Sequence, residues 1–267
     1  MATFGFIGTG NMGGALARAL RKNVSGKEIE LTNRSIEKAD ALASELCCHV
    51  AASNEEVARK SGYIFLGVKP QMMEEMLLGL RETLAQREDR FILVSMAAGL
   101  TIARIREMAG GDYPIIRIMP NTPASIGEGM ILYTAGSDVL DIELQLFLSA
   151  MSGAGRLSPL PEHLMDAGSA VSGCGPAFVD LFIEALADGG VACGLPRAAA
   201  LEFAAQMAAG SAKLILESGK HPGQLKDAVC SPGGTTIQGV RALEEGGFRG
   251  TVMNAVIKAY EKNFDLK

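Results

Sequence analysis

Two glycine turns near opposite ends of a 267-residue chain carry residue types that can hold an anion. The first lies in FGFIGTGNMGGALARAL, where Gly8, Gly10 and Gly13 form a G-x-G-x-x-G between an apolar run and a helical pattern. Gly8 permits the tight turn, Gly10 lets the backbone approach a pyrophosphate, and Gly13 lets helix and strand pack closely. The second is CSPGGTTIQG at 230–239, with Gly233 and Gly234 directly before Thr235 and Thr236. Backbone N–H groups at such a helix start favour an anion, although a plain glycine cap reads the same way. A P-loop needs a lysine directly after its last glycine, and Thr235 occupies that place.

The first turn reads as a dinucleotide site, and the end of the next strand bears on which dinucleotide. A carboxylate roughly 20 residues after the glycines would bind a ribose 2′-hydroxyl. Here EIELT runs into Asn33, Arg34 and Ser35 with no such carboxylate. Arg34 offers a planar fork suited to a 2′-phosphate, so the reading is NADPH, with NADH as the lesser option; the competing view is a solvated surface arginine. Three later strand ends, LGVKPQ with Lys69 and Pro70, VSMAAG with Met96 to Ala98, and MPNTP with Asn121, face the same crevice. Lys69 is either a general acid or a cation held beside the cofactor.

An alcohol dehydrogenase normally needs a base for the hydroxyl proton. His49, His163 and His221 are the chain's histidines, and none sits in a motif. No Ser or Cys nucleophile has an evident partner either. The chemistry favoured is therefore reduction of a C=N bond, because a protonated imine is already electrophilic and hydride addition neutralises it.

These residues require a scaffold that turns strand ends toward one crevice. The first 160 or so residues supply it, alternating TFGFI, EIELT, CCHVA, YIFLGV, RFILVS, PIIRIM and GMILYT with amphipathic helical patterns. Such alternation predicts βαβ units and a largely parallel sheet covered on both faces, an α/β Rossmann-type domain. After RLSPLPEH no strand pattern continues, so an all-helical domain is expected, with domains at 1–161 and 162–267. Gly194 is placed to end one helix and Pro196 to start the next. The run from Pro196 to Ser218 is apolar on more than one face, which demands burial within its own domain or against a second subunit.

Composition narrows the partners. Net charge is −5, which does not suggest a nucleic-acid surface. Five cysteines without zinc-type spacing argue for reduced thiols in a cytoplasm-like compartment, and the amino-terminal MATFGFIG carries no secretory pattern. The apolar stretch PAFVDLFIEALADGGVACGL carries Asp180, Glu184 and Asp188 on one helical face, which argues against a membrane span.

The motifs GFIGTGNMGGAL, VKPQ, VSMAAG, MPNTP, SGCGPAF and HPGQLKDAVCSPGGTTIQGVRALEEGGFRGTVMNAV occur in this order across nearly the whole chain. In them the chain resembles the pyrroline-5-carboxylate reductases, the last block being the most specific. The resemblance implies NAD(P)H-dependent reduction of 1-pyrroline-5-carboxylate to L-proline, and an interleaved helical dimer with dimers joining into a decamer. It further implies that Ile7, Gly8, Thr9, Gly10, Asn11 and Met12 hold the pyrophosphate, and Asn33 and Arg34 the 2′-phosphate. Asn54 would meet the adenosine ribose, while Val68, Lys69, Pro70, Met96, Ala97 and Ala98 line the groove and Asn121 lies near the nicotinamide. Gly233, Gly234, Thr235 and Thr236 would bind the substrate carboxylate, with the Thr236 hydroxyl toward the ring nitrogen. Cys174 stands where the family usually has Ser, and Ala228 where some relatives are polar. Two competing readings are a β-hydroxyacid dehydrogenase using Lys213 or Lys226, and a noncatalytic NADP-binding sensor or scaffold.

Overall fold

Short runs of β-branched and aromatic residues bounded by glycines become eight strands of one sheet in a computed structural model that describes residues 3–263. In chain order the first half runs β1 (Phe4–Ile7), α1 (Asn11–Arg21), β2 (Ile29–Thr32), α2 (Ile36–Leu46), β3 (His49–Val50), α3 (Asn54–Lys60), β4 (Tyr63–Leu66) and α4 (Pro70–Ala85). It continues with β5 (Ile92–Ser95), α5 (Ile102–Ala109), β6 (Ile115–Met119), β7 (Gly129–Ala135), α6 (Asp141–Met151) and β8 (Gly155–Pro159).

The strand order is β3-β2-β1-β4-β5-β6-β7-β8. Pairings are parallel except β6 with β7, which run antiparallel. Each expected strand is present. The strand β8 was not expected, because GRLSP lacks apolar alternation, starts on Gly155 in the left-handed region and ends in a proline suited only to an edge.

Period-two alternation sorts the strand residues onto two faces. Phe4 and Phe6 of β1, with Tyr63 and Phe65 of β4, pack under α1 and α6. The rings of Phe6 and Phe65 stack with centroids 4.3 Å apart. Ile7, Ile64 and Leu66 point the other way, under α4 and α5. With both faces covered, the strand ends emerge as rigid platforms for loops.

Beyond β8 come a 3₁₀ turn (Glu162–Leu164), α7 (Met165–Gly168) and a π-helical stretch (Ser169–Gly173). Then follow α8 (Gly175–Ala192), α9 (Arg197–Ser218), α10 (Pro222–Ala228), α11 (Thr235–Glu245) and α12 (Phe248–Lys262). No strand occurs here among the described residues. Gly194 adopts the left-handed conformation after α8, and Pro196 caps α9. By compactness the chain divides into Met1–Cys174 together with Ala259–Lys267, and Gly175–Lys258.

Within the second unit, α8 and α9 pair, and the rings of Phe182 and Phe248 meet at 5.9 Å. Of α9 only Ala200 and Ala204 are buried, while Leu201, Phe203, Met207, Leu214 and Leu216 are exposed. Most apolar side chains of this helix are therefore left uncovered in the single chain. The stretch Glu162–Ala192 is long and apolar enough by length and composition to cross a membrane. It also carries Asp166, Asp180, Glu184 and Asp188, and α8 leaves Val179 and Leu181 exposed.

Candidate functional site

Parallel strand order reverses between β1 and β4, and a cleft of about 710 Å³ opens outside their carboxyl ends. This is the place where doubly wound sheets bind ligands, and the volume is ordinary for a small-molecule site. Ile7, Gly8, Gly10, Asn33, Arg34, Asn54, Val68 and Lys69 all line it. Thr9, Asn11, Met12 and Pro70 belong to the same two turns but not to its wall.

Local geometry explains each glycine of the first turn. Gly8 has φ of +99°. A Cβ on Gly13 would lie 2.2 Å from the Gly8 carbonyl oxygen, so α1 can approach β1 only over a bare Cα. A Cβ on Gly10 would meet nothing within 4 Å and would project into open space. Gly10 is also the N-cap of α1, and no side chain caps that helix start. Its first-turn N–H groups thus keep their capacity for an outside acceptor. The buried Thr9 Oγ1 has no hydrogen-bond partner either. An open cradle, an uncapped helix and an orphaned hydroxyl in one turn fit a pyrophosphate.

Asn33 braces this turn from the next strand. Its Oδ1 accepts from Thr9 N at 3.1 Å, and its Nδ2 donates to Ser35 O at 3.0 Å. Arg34 is exposed and makes no ion pair among the described residues, which leaves its guanidinium available. Two residues the sequence reading missed join it: Ser35, whose hydroxyl does not cap α2 although it stands at the N-cap, and Lys38, one helical turn after Arg34. No sequence signal marked Lys38, since Arg34 precedes α2 and only the folded chain brings the two to one wall of the cleft. Asn54 opens α3 behind the Ser53 cap, whose Oγ accepts from Glu56 N at 3.2 Å.

Met96, Ala97, Ala98 and Asn121 lie outside that cleft, at the carboxyl ends of β5 and β6, the next strands along the sheet. Asn121 is buried and held at both ends of its amide. Its Oδ1 accepts from Met130 N at 2.9 Å, and its Nδ2 donates to Ser172 O at 3.0 Å. Arg117, in the middle of β6, is 2% exposed and pairs with Glu162 and Asp166. No sequence pattern announced this cluster, since its members stand far apart in the chain.

The second glycine turn forms as its residues require. Gly233 has φ of +70°, and a Cβ on Gly234 would lie 2.3 Å from Ser231 Oγ. Gly234 caps α11 without a side-chain bond, placing Thr235 and Thr236 at the first two helical positions. Gly233, Thr235 and Thr236 are exposed in the single chain, and Gly234 half-buried. The N–H groups of this first turn are unpaired within the helix, and the helix dipole adds positive potential there.

Other candidates for acid–base work have structural occupations. His221 caps α10, its Nδ1 accepting from Gly223 N at 3.0 Å. His49 and His163 are exposed. Lys226 lies 2.7 Å from Asp227, whose hydrogen bond raises the lysine pKa, the wrong direction for a base. All five cysteines are free, and burial pushes the Cys48 thiol up to about 11.

Comparison with known proteins bears on both sites. Residues 162–266 match the family profile described as pyrroline-5-carboxylate reductase dimerisation, and residues 3–99 that described as NADP oxidoreductase, coenzyme F420-dependent. A pyrroline-5-carboxylate reductase of Pisum sativum is 42% identical, over 99% of this chain and 96% of its own length. One from Escherichia coli is 42% identical, over 98% and 97%. Among solved structures, Plasmodium falciparum pyrroline carboxylate reductase with NADP bound superposes with a TM-score of 0.89 at 34% identity, over 99% of this chain and 98% of the other.

Proposed function

The chain belongs to the pyrroline-5-carboxylate reductase family, and on that premise we propose how its residues divide the work. It is an oxidoreductase that reduces 1-pyrroline-5-carboxylate to L-proline with NADPH, the last step of proline biosynthesis, and it self-associates. The dinucleotide, when bound, supplies the hydride.

Residues 7–12 cradle its pyrophosphate over the uncapped start of α1. Arg34, Ser35 and Lys38 take the 2′-phosphate, Asn54 the ribose, and Val68, Lys69 and Pro70 the side of the groove. Lys69 acts there by charge, as an exposed residue at the N-cap of α4 on the wall of the cleft. Met96, Ala97, Ala98 and Asn121 border the nicotinamide, as their place at the ends of β5 and β6 supports. The same residues would accept NADH without the contacts at Arg34.

The substrate assignment is carried by one observation: the Gly233–Gly234 turn leaves α11 uncapped, with two threonines at its first positions. The N–H groups of Thr235 and Thr236 hold the substrate carboxylate, and the Thr236 hydroxyl meets the ring nitrogen. Catalysis then consists of positioning and fixed charge, with no strong base required.

We place the domain boundary after Pro161, in keeping with the dimerisation profile that starts at 162. The exposed apolar residues of α8, α9 and α12 face a second copy in a dimer, and dimers join into a decamer. The reading includes a cytoplasmic setting without a membrane, supported by five free cysteines and the acids of α8. A nucleic-acid partner is not expected at net charge −5.

The test is loss of NADPH absorbance with pyrroline-5-carboxylate, run beside its six-membered analogue and beside NADH. Turnover with the five-membered imine and NADPH is expected. No turnover with either imine would overturn the reading and leave the sensor or scaffold alternative.

A further inference from the structure

Glu162 stands in the junction after β8, outside both glycine turns, yet its carboxylate reaches the start of α5 and the middle of β6 at once. Its Oε1 accepts from Ile102 N at 2.7 Å, the first residue of α5. The same oxygen accepts from Arg117 Nη1 at 3.4 Å, in the middle of β6. The loop from β5 to α5 carries Met96, Ala97 and Ala98, and β6 leads directly into Asn121. One carboxylate therefore joins the two segments assigned to the nicotinamide.

Glu162 satisfies an orphan amide at the start of α5 that the local cap does not reach. Thr101 is that cap, its Oγ1 accepting from Arg104 N at 3.2 Å. Sheet stability does not account for the pairing with Arg117. Arg117 is a buried cation inside a strand, where an apolar residue of like volume serves stability as well or better. Its guanidinium is held through Nη1 by Glu162 and through Nη2 by Asp166 at 3.2 Å, while Nε has no partner. The backbone oxygen of Asp166 in turn accepts from Asn263 Nδ2 at 3.1 Å, and Ser172 O, on the π-helical stretch just beyond, receives Asn121. One anchor of Asn121, at Ser172, and the tether of α5, at Glu162, thus both lie on the Glu162–Ser172 segment.

We propose that Glu162, acting through Arg117 and the Ile102 amide, is a positioning residue for hydride transfer. It fixes the distance between the Met96–Ala98 loop and Asn121, and so the seat of the nicotinamide ring. This rests on the reading above that these residues border the cofactor.

The test uses the full chain with E162A, E162Q and A98L, and NADPH carrying deuterium at the transferred position. A misplaced ring should lower kcat in E162A by about tenfold to a hundredfold. The Michaelis constant for pyrroline-5-carboxylate should move less than about twofold, because its site is on α11 and untouched. The isotope effect on kcat should rise as hydride transfer becomes slower than product release. A variant that is merely less folded would lose active enzyme without changing the isotope effect, and that result would overturn the proposal. So would wild-type kcat in E162A. Should E162A fail to fold, E162Q keeps an acceptor for the Ile102 amide while leaving Arg117 a neutral partner, and is read by the same criteria. A98L separates the two ideas. If it is impaired and the Glu162 variants are not, only the positioning role fails. If it behaves as wild type, the placing of that loop at the cofactor fails, and the proposal with it.

Discussion

Arg34 pairs with no carboxylate among the described residues. It is exposed at the mouth of the cleft, with the free Ser35 hydroxyl beside it and Lys38 one turn on. A charge-assisted contact of this kind contributes about 1.5–3 kcal/mol, so Arg34→Ala should raise the Michaelis constant for NADPH at least about tenfold. That for NADH should change little, and an unchanged preference between the two would remove Arg34 from the assignment. Thr236 makes the complementary case at the substrate. It is exposed at the second position of α11, so Thr236→Ala should alter stability by less than about 0.5 kcal/mol. Turnover should nevertheless fall about a hundredfold or more, the ordinary worth of a positioned proton-sharing group; full activity would end its catalytic role. Arg34 and Thr236 were legible because each stands at a fixed offset from a glycine turn. Lys38 was not, since a helix lysine looks like any solvated cation until its neighbour is known to be unpaired.

Among elements, the β1–turn–α1 unit separates what folding needs from what binding needs. Gly13→Ala would press a methyl against the Gly8 carbonyl at 2.2 Å, while Gly10→Ala meets nothing in the protein. The first should therefore cost about 1–3 kcal/mol in a denaturation curve, the scale of overpacking. Gly10→Ala should stay within about 1 kcal/mol of wild type, as an N-cap change, yet bind NADPH at least about tenfold more weakly by fluorescence titration. Equal binding by the Gly10 variant would show that the pyrophosphate lies elsewhere. The parallel strands were readable because burial on both faces makes them continuous apolar runs, as in YIFL and ILVS. GRLSP was not, because an edge strand needs neither alternation nor a run of β-branched residues. Nor could spacing announce Arg117 and Glu162, whose partnership exists only once β6 and the junction after β8 are folded together.

For the whole molecule, the decisive fact is how much apolar surface one chain leaves uncovered. Leu181 of α8, Leu216 of α9 and Met253 of α12 are 66%, 69% and 60% exposed. Isolated exposed hydrophobics are ordinary, but contiguous patches mark an interface. Sequence periodicity showed that α9 must be covered and could not say by what; the single chain leaves most of its apolar side chains uncovered. Self-association linked to folding makes the melting temperature rise with protein concentration, because subunits bind the native state and not the unfolded one. Leu216→Glu places a charge where the partner must desolvate it, so it should yield a lighter species in sedimentation at micromolar concentration. The isolated chain should keep its helical content, since that side chain touches solvent already. Activity is the sharper readout. The Gly233–Thr236 turn is exposed in one chain, and enclosing a small anionic imine against water requires walls that this unit does not supply alone. Leu216→Glu should therefore lose turnover in step with loss of the larger species, while NADPH binding at the β1–α1 turn persists. Full turnover by a demonstrated monomer would mean that the dimer serves stability only.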